Sequence, residues 1–187
     1  MNNFQQLKKI VLPAFNETLY MVFFSSLFSI ILGIVIGVIL YVTEKDGILE
    51  NKFLNKILGV IVNIGRSIPF VILMIAVFPL SKFIVGTTLG SKAAIVPLTV
   101  AAIPFVARMI EASLKEIDKG VIEASISMGA TEWQIIYKVL IPESISSIIS
   151  TITTTIISII GYSAMAGTIG GGGLGSIAIT YGYQRYR

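Results

Sequence analysis

From Leu19 to Val42 the chain reads LYMVFFSSLFSIILGIVIGVILYV, without one charged residue. A helix needs about 20 mostly apolar residues to cross a bilayer, and in hydrocarbon every backbone N–H and C=O must find its partner within the segment. This stretch exceeds that length. Each central Leu, Ile, Phe or Val adds roughly 0.3–0.6 kcal/mol in favour of insertion. The chain is therefore expected to live in a membrane. Its make-up agrees: 55% of 187 residues are hydrophobic and 13% charged, with a mean hydropathy of +0.88, unlike a soluble globular domain. Lys8 and Lys9 precede an apolar run far longer than the core of a secretory signal, and no small-residue cleavage site follows.

Three further spans are predicted. One runs from about Ile57 to Leu80 and contains Arg66 and Pro69; a third covers Ala93–Ile110 with Pro97 and Pro104; a fourth covers Ser144 to about Met165. The prolines of the third free backbone groups that neighbouring helices must satisfy, which predicts a kinked helix buried in the bundle. Residues 1–17 read as a mixed, polar, interfacial stretch, and 43–56 as an aqueous loop. Gly33 and Gly37 make a small-xxx-small pair suited to close helix approach. The expected fold is all-α, a polytopic membrane helix bundle, and the whole of 1–187 is expected to form one transmembrane domain.

Between the third and fourth spans lies the one long charged, amphipathic segment, Glu111 to Glu143. Asp118 is placed to cap a short helix. Gly129 can take the left-handed backbone angles that end it. Thr131 and Gln134 have capping-box spacing for a second helix, with Glu132 in its first turn. Lys138 falls in the last turn and Pro142 is expected to stop it. The product is a water-facing elbow of two brief helices, in a form that suits gripping by another protein.

Within the elbow, Glu123-Ala124-Ser125, Gly129-Ala130 and Leu140-Ile141-Pro142 resemble the EAA loop of ABC-importer permeases. Asn63 to Phe70, Ala94 to Val100, Gly161 to Met165, Gly170 to Gly175 and Tyr181-Gly182-Tyr183 are similar to the methionine-type subfamily, so the likeness covers nearly the whole chain. It implies a permease subunit in the bacterial inner membrane, working as a homodimer with ABC ATPase subunits and an extracytoplasmic substrate-binding protein. ATP-Mg would be bound by the ATPase and no cofactor by this chain. The elbow would be cytoplasmic and would couple to the ATPase through Glu123, Ala124, Ser125, Met128, Gly129, Ala130, Trp133, Ile136 and Pro142. Such permeases usually carry a fifth span after Tyr-Gly-Tyr, which this sequence lacks. Charge alone leaves orientation open: Lys45, Lys52, Lys56, Arg108, Lys115, Lys119 and Lys138 on the elbow side face Lys8, Lys9, Lys82, Lys92, Arg185 and Arg187 on the other.

At 100° per residue the fourth span gathers Ile145, Ile148, Ile149, Ile152, Ile156, Ile159 and Ile160 on one face. Ser147, Ser150, Thr151, Thr154, Ser158 and Gly161 gather on the other. The second face suits a wet passage or hydroxyl-mediated helix packing. Met165 ends it, a flexible thioether among small residues that either gates the passage or fills a packing gap. Arg66, ionisable in an apolar run, is a candidate to attract a substrate carboxylate, to pair with Glu111, or to snorkel.

Several classes are excluded or left weaker. With no cysteine and no histidine, disulfides, thiolate metal sites and the commonest general base are unavailable. No basic stripe interleaved with aromatics points to nucleic acid, and the net charge of +4 suits anionic lipid headgroups. Gly170-x-Gly172-x-x-Gly175 matches a dinucleotide pattern literally, but no strand precedes it and no acidic residue follows Glu143 to hold a ribose. Those glycines are expected to shape an outer turn. A secondary transporter or channel needing no ATPase is the alternative, though Arg66 is its one candidate for ion coupling and no predicted span carries an Asp or Glu.

Overall fold

The structure, a computed structural model, describes residues 3–184; Arg185 and Arg187, counted above for orientation, lie outside the described residues. Every regular element described is helical: α1 (Asn3–Val42), α2 (Lys52–Ser67), α3 (Phe70–Val85), α4 (Ser91–Lys115), α5 (Lys119–Ser127), α6 (Glu132–Ile135), a π-helical turn (Ile136–Leu140), α7 (Ile141–Glu143), α8 (Ile145–Thr168), α9 (Gly173–Ile177) and a second π segment (Ala178–Gln184). Among the described residues, three helices are long and apolar enough to cross a membrane, within Lys8–Val42, Ser91–Lys115 and Ile145–Thr168.

The fourth candidate differs from the straight helix expected over Ile57–Leu80. Helices α2 and α3 meet at a 115° bend and qualify only as a pair. Proline supplies the reason: Pro69 adopts φ −57° and ψ 136° just before α3. It brings no backbone N–H and disfavours helical geometry in the residue before it. The first helix also departs from expectation, since the polar stretch 1–17 is not a separate interfacial helix. Within the described residues it is the start of α1, which continues through Pro13. Helix α4 runs on through Pro97 and Pro104, and half of its apolar window is buried, the largest share among the three spans.

The chain divides into two compact units, one built from residues up to Ser29, Ile68–Ala102 and Thr155 onward, the other from Ile30–Ser67 and Ile103–Thr154. In the first, Met21, Met74, Ala94, Leu98 and Ala166 form a buried cluster bordered by Phe70, Phe78, Tyr162 and Ile169. The Phe70 and Tyr162 rings stack within it, with centroids 4.7 Å apart. In the second, Val42, Val106, Ile110, Leu114, Ile135, Ile136 and Leu140 are buried together. The small-xxx-small pair acts there as predicted. A Cβ on Gly33 would stand 2.5 Å from Val106 Cβ, and one on Gly37 2.6 Å from the Ala107 carbonyl oxygen. Only bare glycine backbone lets α1 and α4 meet this closely.

Candidate functional site

The elbow forms from the local signals in its sequence. Asp118 caps α5 by accepting from the Gly120 N–H at 2.7 Å. Gly129 takes φ +79°, its N–H donates to the Ile126 carbonyl and the Ala130 N–H to the Ser125 carbonyl. Those two bonds are the paired closure of a Schellman turn. Thr131 and Gln134 exchange both capping-box bonds, at 3.0 and 3.4 Å. Nine-residue α5 and four-residue α6 would be marginal alone. What holds them is the apolar cluster of α1 and α4, on which Ile117, Ile122, Ala130, Ile135 and Ile136 pack.

Pro142 does not stop the second helix. Lacking an N–H, it leaves the Lys138 carbonyl without its usual donor four residues on. The ladder widens here: the Ile141 N–H donates to the Ile136 carbonyl, five residues back. Ser144 then gives its N–H to Leu140 at 3.2 Å, and its hydroxyl shares that acceptor at 2.6 Å. Helix α8 begins at the next residue. The elbow therefore runs into the fourth span through one π turn, a feature often found where a helix must adjust.

The coupling residues named from sequence separate by exposure. Met128 is 81% exposed and Trp133 68%; Glu123, Ala124, Gly129 and Pro142 are exposed and Ala130 half-buried. Ser125 is buried and its hydroxyl donates to the Val121 carbonyl. Ile136 corrects the expectation of an outward apolar contact: it lies in the buried cluster. Ile126 and Tyr137 are the exposed apolar neighbours that sequence reading passed over. Helical period alone does not say which side of so short a helix faces the core.

An ion network behind the elbow was also missed. Glu111 is 7% exposed and accepts from Arg108, while Lys115 reaches both Glu111 and Glu44, at 3.0 and 2.9 Å. Arg108 also donates to Asn63 Oδ1 at 2.7 Å. The carboxylate offered as a partner for Arg66 is thus held by two other cations. Arg66 is exposed in the last turn of α2, where a positive charge complements the helix dipole. The i,i+3 and i,i+4 spacing of Arg108, Glu111 and Lys115 was a legible signal.

On α8, Thr151 is buried, Ser147 and Ser158 are half-buried, and Ser150, Thr154, Gly161 and Met165 are exposed. The exposed side also holds Ile145, Ile149, Ile157 and Ile160. The polar/apolar division is therefore turned relative to the buried/exposed one. Ser147 donates to Glu116 Oε2 at 3.2 Å. The Thr154 hydroxyl donates to the Ser150 carbonyl at 3.0 Å, which satisfies it within its own helix.

The family described as "Binding-protein-dependent transport system inner membrane component" matches residues 29–185. The chain belongs to this family. Among its relatives, a probable D-methionine transport system permease protein MetI of Vibrio cholerae is 55% identical over 177 residues, covering 95% of this chain and 79% of that protein. A methionine import system permease protein MetP of Bacillus subtilis is 54% identical over 168 residues, covering 90% of this chain and 76% of that protein. A solved structure described as an inward-facing conformation of the MetNI methionine ABC transporter superposes with a TM-score of 0.95 at 47% identity, covering 100% of this chain and 86% of that one. Family membership makes the chain a multi-pass inner-membrane transport component rather than an enzyme. The EAA-type elbow agrees with that membership.

Proposed function

We propose that this chain is the permease subunit of an ATP-driven importer of methionine. The observation that carries the reading is the superposition of this chain on 86% of a methionine ABC transporter chain at 47% identity. The whole chain acts as one transmembrane domain. It pairs with a second copy, because one bundle offers only half a passage. ATP-Mg sits on a separate ATPase subunit, and an extracytoplasmic binding protein delivers substrate.

In this scheme the elbow is cytoplasmic. Met128, Trp133, Ile126 and Tyr137 give the ATPase an apolar surface for a groove, with Glu123, Ala124, Gly129 and Ala130 around it. When the ATPase pair closes on ATP, the elbow moves with it. The π turn at Ile136–Leu140 and Pro142 carry that displacement into α8. Coupling of this kind needs a packed element with two arrangements that both sites bias. The path runs along the hydroxyl side of α8, with Ser147, Thr151, Thr154, Ser158 and Gly161 beside it and Met165 as the gate. Arg66 serves at the helix end or attracts the substrate carboxylate.

The test is co-purification with an ATPase, followed by uptake of labelled L- and D-methionine into proteoliposomes containing ATP and binding protein. ATP-dependent methionine accumulation is expected. Accumulation without any ATPase subunit would overturn the proposal in favour of a secondary transporter.

A further inference from the structure

Two side chains of α1 reach the turn that follows α8. The Gly173 N–H donates to Glu17 Oε2 at 2.7 Å, and the Leu174 N–H to Thr18 Oγ1 at 2.9 Å. Both N–H groups belong to the start of α9, where helical donors have no acceptor of their own. The loop after α3 closes a third side, with the Gly90 N–H donating to the Gly170 carbonyl at 2.8 Å. The glycines are shaped around these bonds. A Cβ on Gly172 would stand 2.7 Å from Glu17 Oε2, and one on Gly173 2.6 Å from Thr18 Oγ1, with φ at +79° and +73°.

This knot is continuous with the end of the fourth span. The Gly171 N–H returns to the Ala166 carbonyl at 2.9 Å, and the Thr168 hydroxyl to the Met165 carbonyl at 2.7 Å. Among the described residues, none of the four buried apolar clusters includes a residue of α9. Its attachment is polar contact and close glycine backbone. A carboxylate on backbone N–H groups at a helix start is a strong, directional hold. Bare Gly173 lies against buried Met21, but the short, glycine-rich segment buries little side chain of its own, which places it with the parts of a fold that open first.

We infer that Glu17 and Thr18 are positioning residues that clamp the outer end of the fourth span, keeping Met165 in the path until the clamp is released. The role rests on the translocation reading given above. By that reading the elbow end of α8 is cytoplasmic and the Thr168 end faces outward. Release at α9 unties the turn next to Met165, and the positive-φ glycines supply the freedom to rearrange.

The chain has no cysteine, so one substitution makes this subunit alone reactive, and its labelling is read after the subunits are separated by denaturing electrophoresis. Ser163→Cys is nearly isosteric and only 2% exposed, so it labels slowly while the clamp holds. The experiment uses the assembled transporter in proteoliposomes, an impermeant maleimide added outside, and methionine leak measured without ATP. Glu17→Ala is expected to raise the labelling rate about tenfold or more, the population change expected for losing a hydrogen bond to a charged group, and to raise leak with it. Glu17→Gln keeps an acceptor and falls between; Thr18→Val moves both readouts the same way by less. Should Glu17→Ala fail to assemble, Thr18→Val carries the test. Unchanged labelling and leak in a variant that still shows ATP-driven uptake overturn the clamp. Absence of ATP-driven methionine uptake in the parent overturns the function instead, while the labelling still decides the clamp.

Discussion

Replacing Gly129 with alanine isolates the elbow from the rest of the bundle. At φ +79°, with nothing within 4 Å of an added Cβ, the substitution meets no steric clash, only backbone strain. A non-glycine residue in the left-handed region costs roughly 1–2 kcal/mol. The turn can shed that strain by giving up the Gly129 and Ala130 N–H bonds to Ile126 and Ser125, each worth about 1 kcal/mol. The two costs are similar, so a sizeable fraction of elbows would lose the turn while Ile135, Ile136 and Leu140 stay anchored in the cluster. Gly86→Ala is the matched control: φ is +82° and the added Cβ again meets nothing, but the site ends α3. In proteoliposomes Gly129→Ala is expected to lower ATP-driven uptake several-fold and to weaken ATPase co-purification, with the inactivation temperature of the membrane subunits nearly unchanged. Gly86→Ala should carry a similar strain and leave uptake near the parent. Equal loss in both variants, or none in Gly129→Ala, would refute the argument that the elbow's shape transmits the stroke.

Three other outcomes are expected. Met165→Ala should raise basal methionine leak in vesicles, because the side chain is 46% exposed beside small residues and its removal leaves nothing to close over; unchanged leak retires the gate. Gly37→Ala pushes a Cβ to 2.6 Å from a backbone oxygen and 2.7 Å from Ile110 Cβ. Overpacking of that kind costs about 1–3 kcal/mol, read as a lower inactivation temperature in detergent. Glu111→Gln removes the buried carboxylate that Arg108 and Lys115 share, but both cations stay partly exposed and keep Asn63 and Glu44, so the loss should be about 1.5–3 kcal/mol. Glu44→Gln, at the exposed end of the same network, should cost under about 1 kcal/mol, and equal effects in thermal inactivation would contradict the burial argument.

The elbow was the most legible part of the molecule. Asp118, Gly129, Thr131 and Gln134 each act on backbone groups within a few residues, so their spacing states their bonds in advance. Pro142 was misread for a related reason. Proline removes a donor at one position, but whether the chain then stops or widens into a π turn depends on what is packed around it, here the buried Ile136 and Leu140. Arg66 was given a partner by chemical plausibility, whereas Glu111 had nearer cations on its own helix. The facing of α8 was half legible: the isoleucine and hydroxyl rows are real, but the line between buried and exposed crosses both.

By itself the sequence determined that the chain is helical and membrane-bound, where the charged elbow sits, and how its turns are capped. Apolar length, residue type and short-range spacing act within one segment of backbone. Tertiary structure alone decided the reach of the ion network to Glu44 and Asn63, the burial of Ile136 and the grip of Glu17 and Thr18 on a turn more than 150 residues away. Each of these depends on which segments meet in space, and no local period in a sequence carries that information.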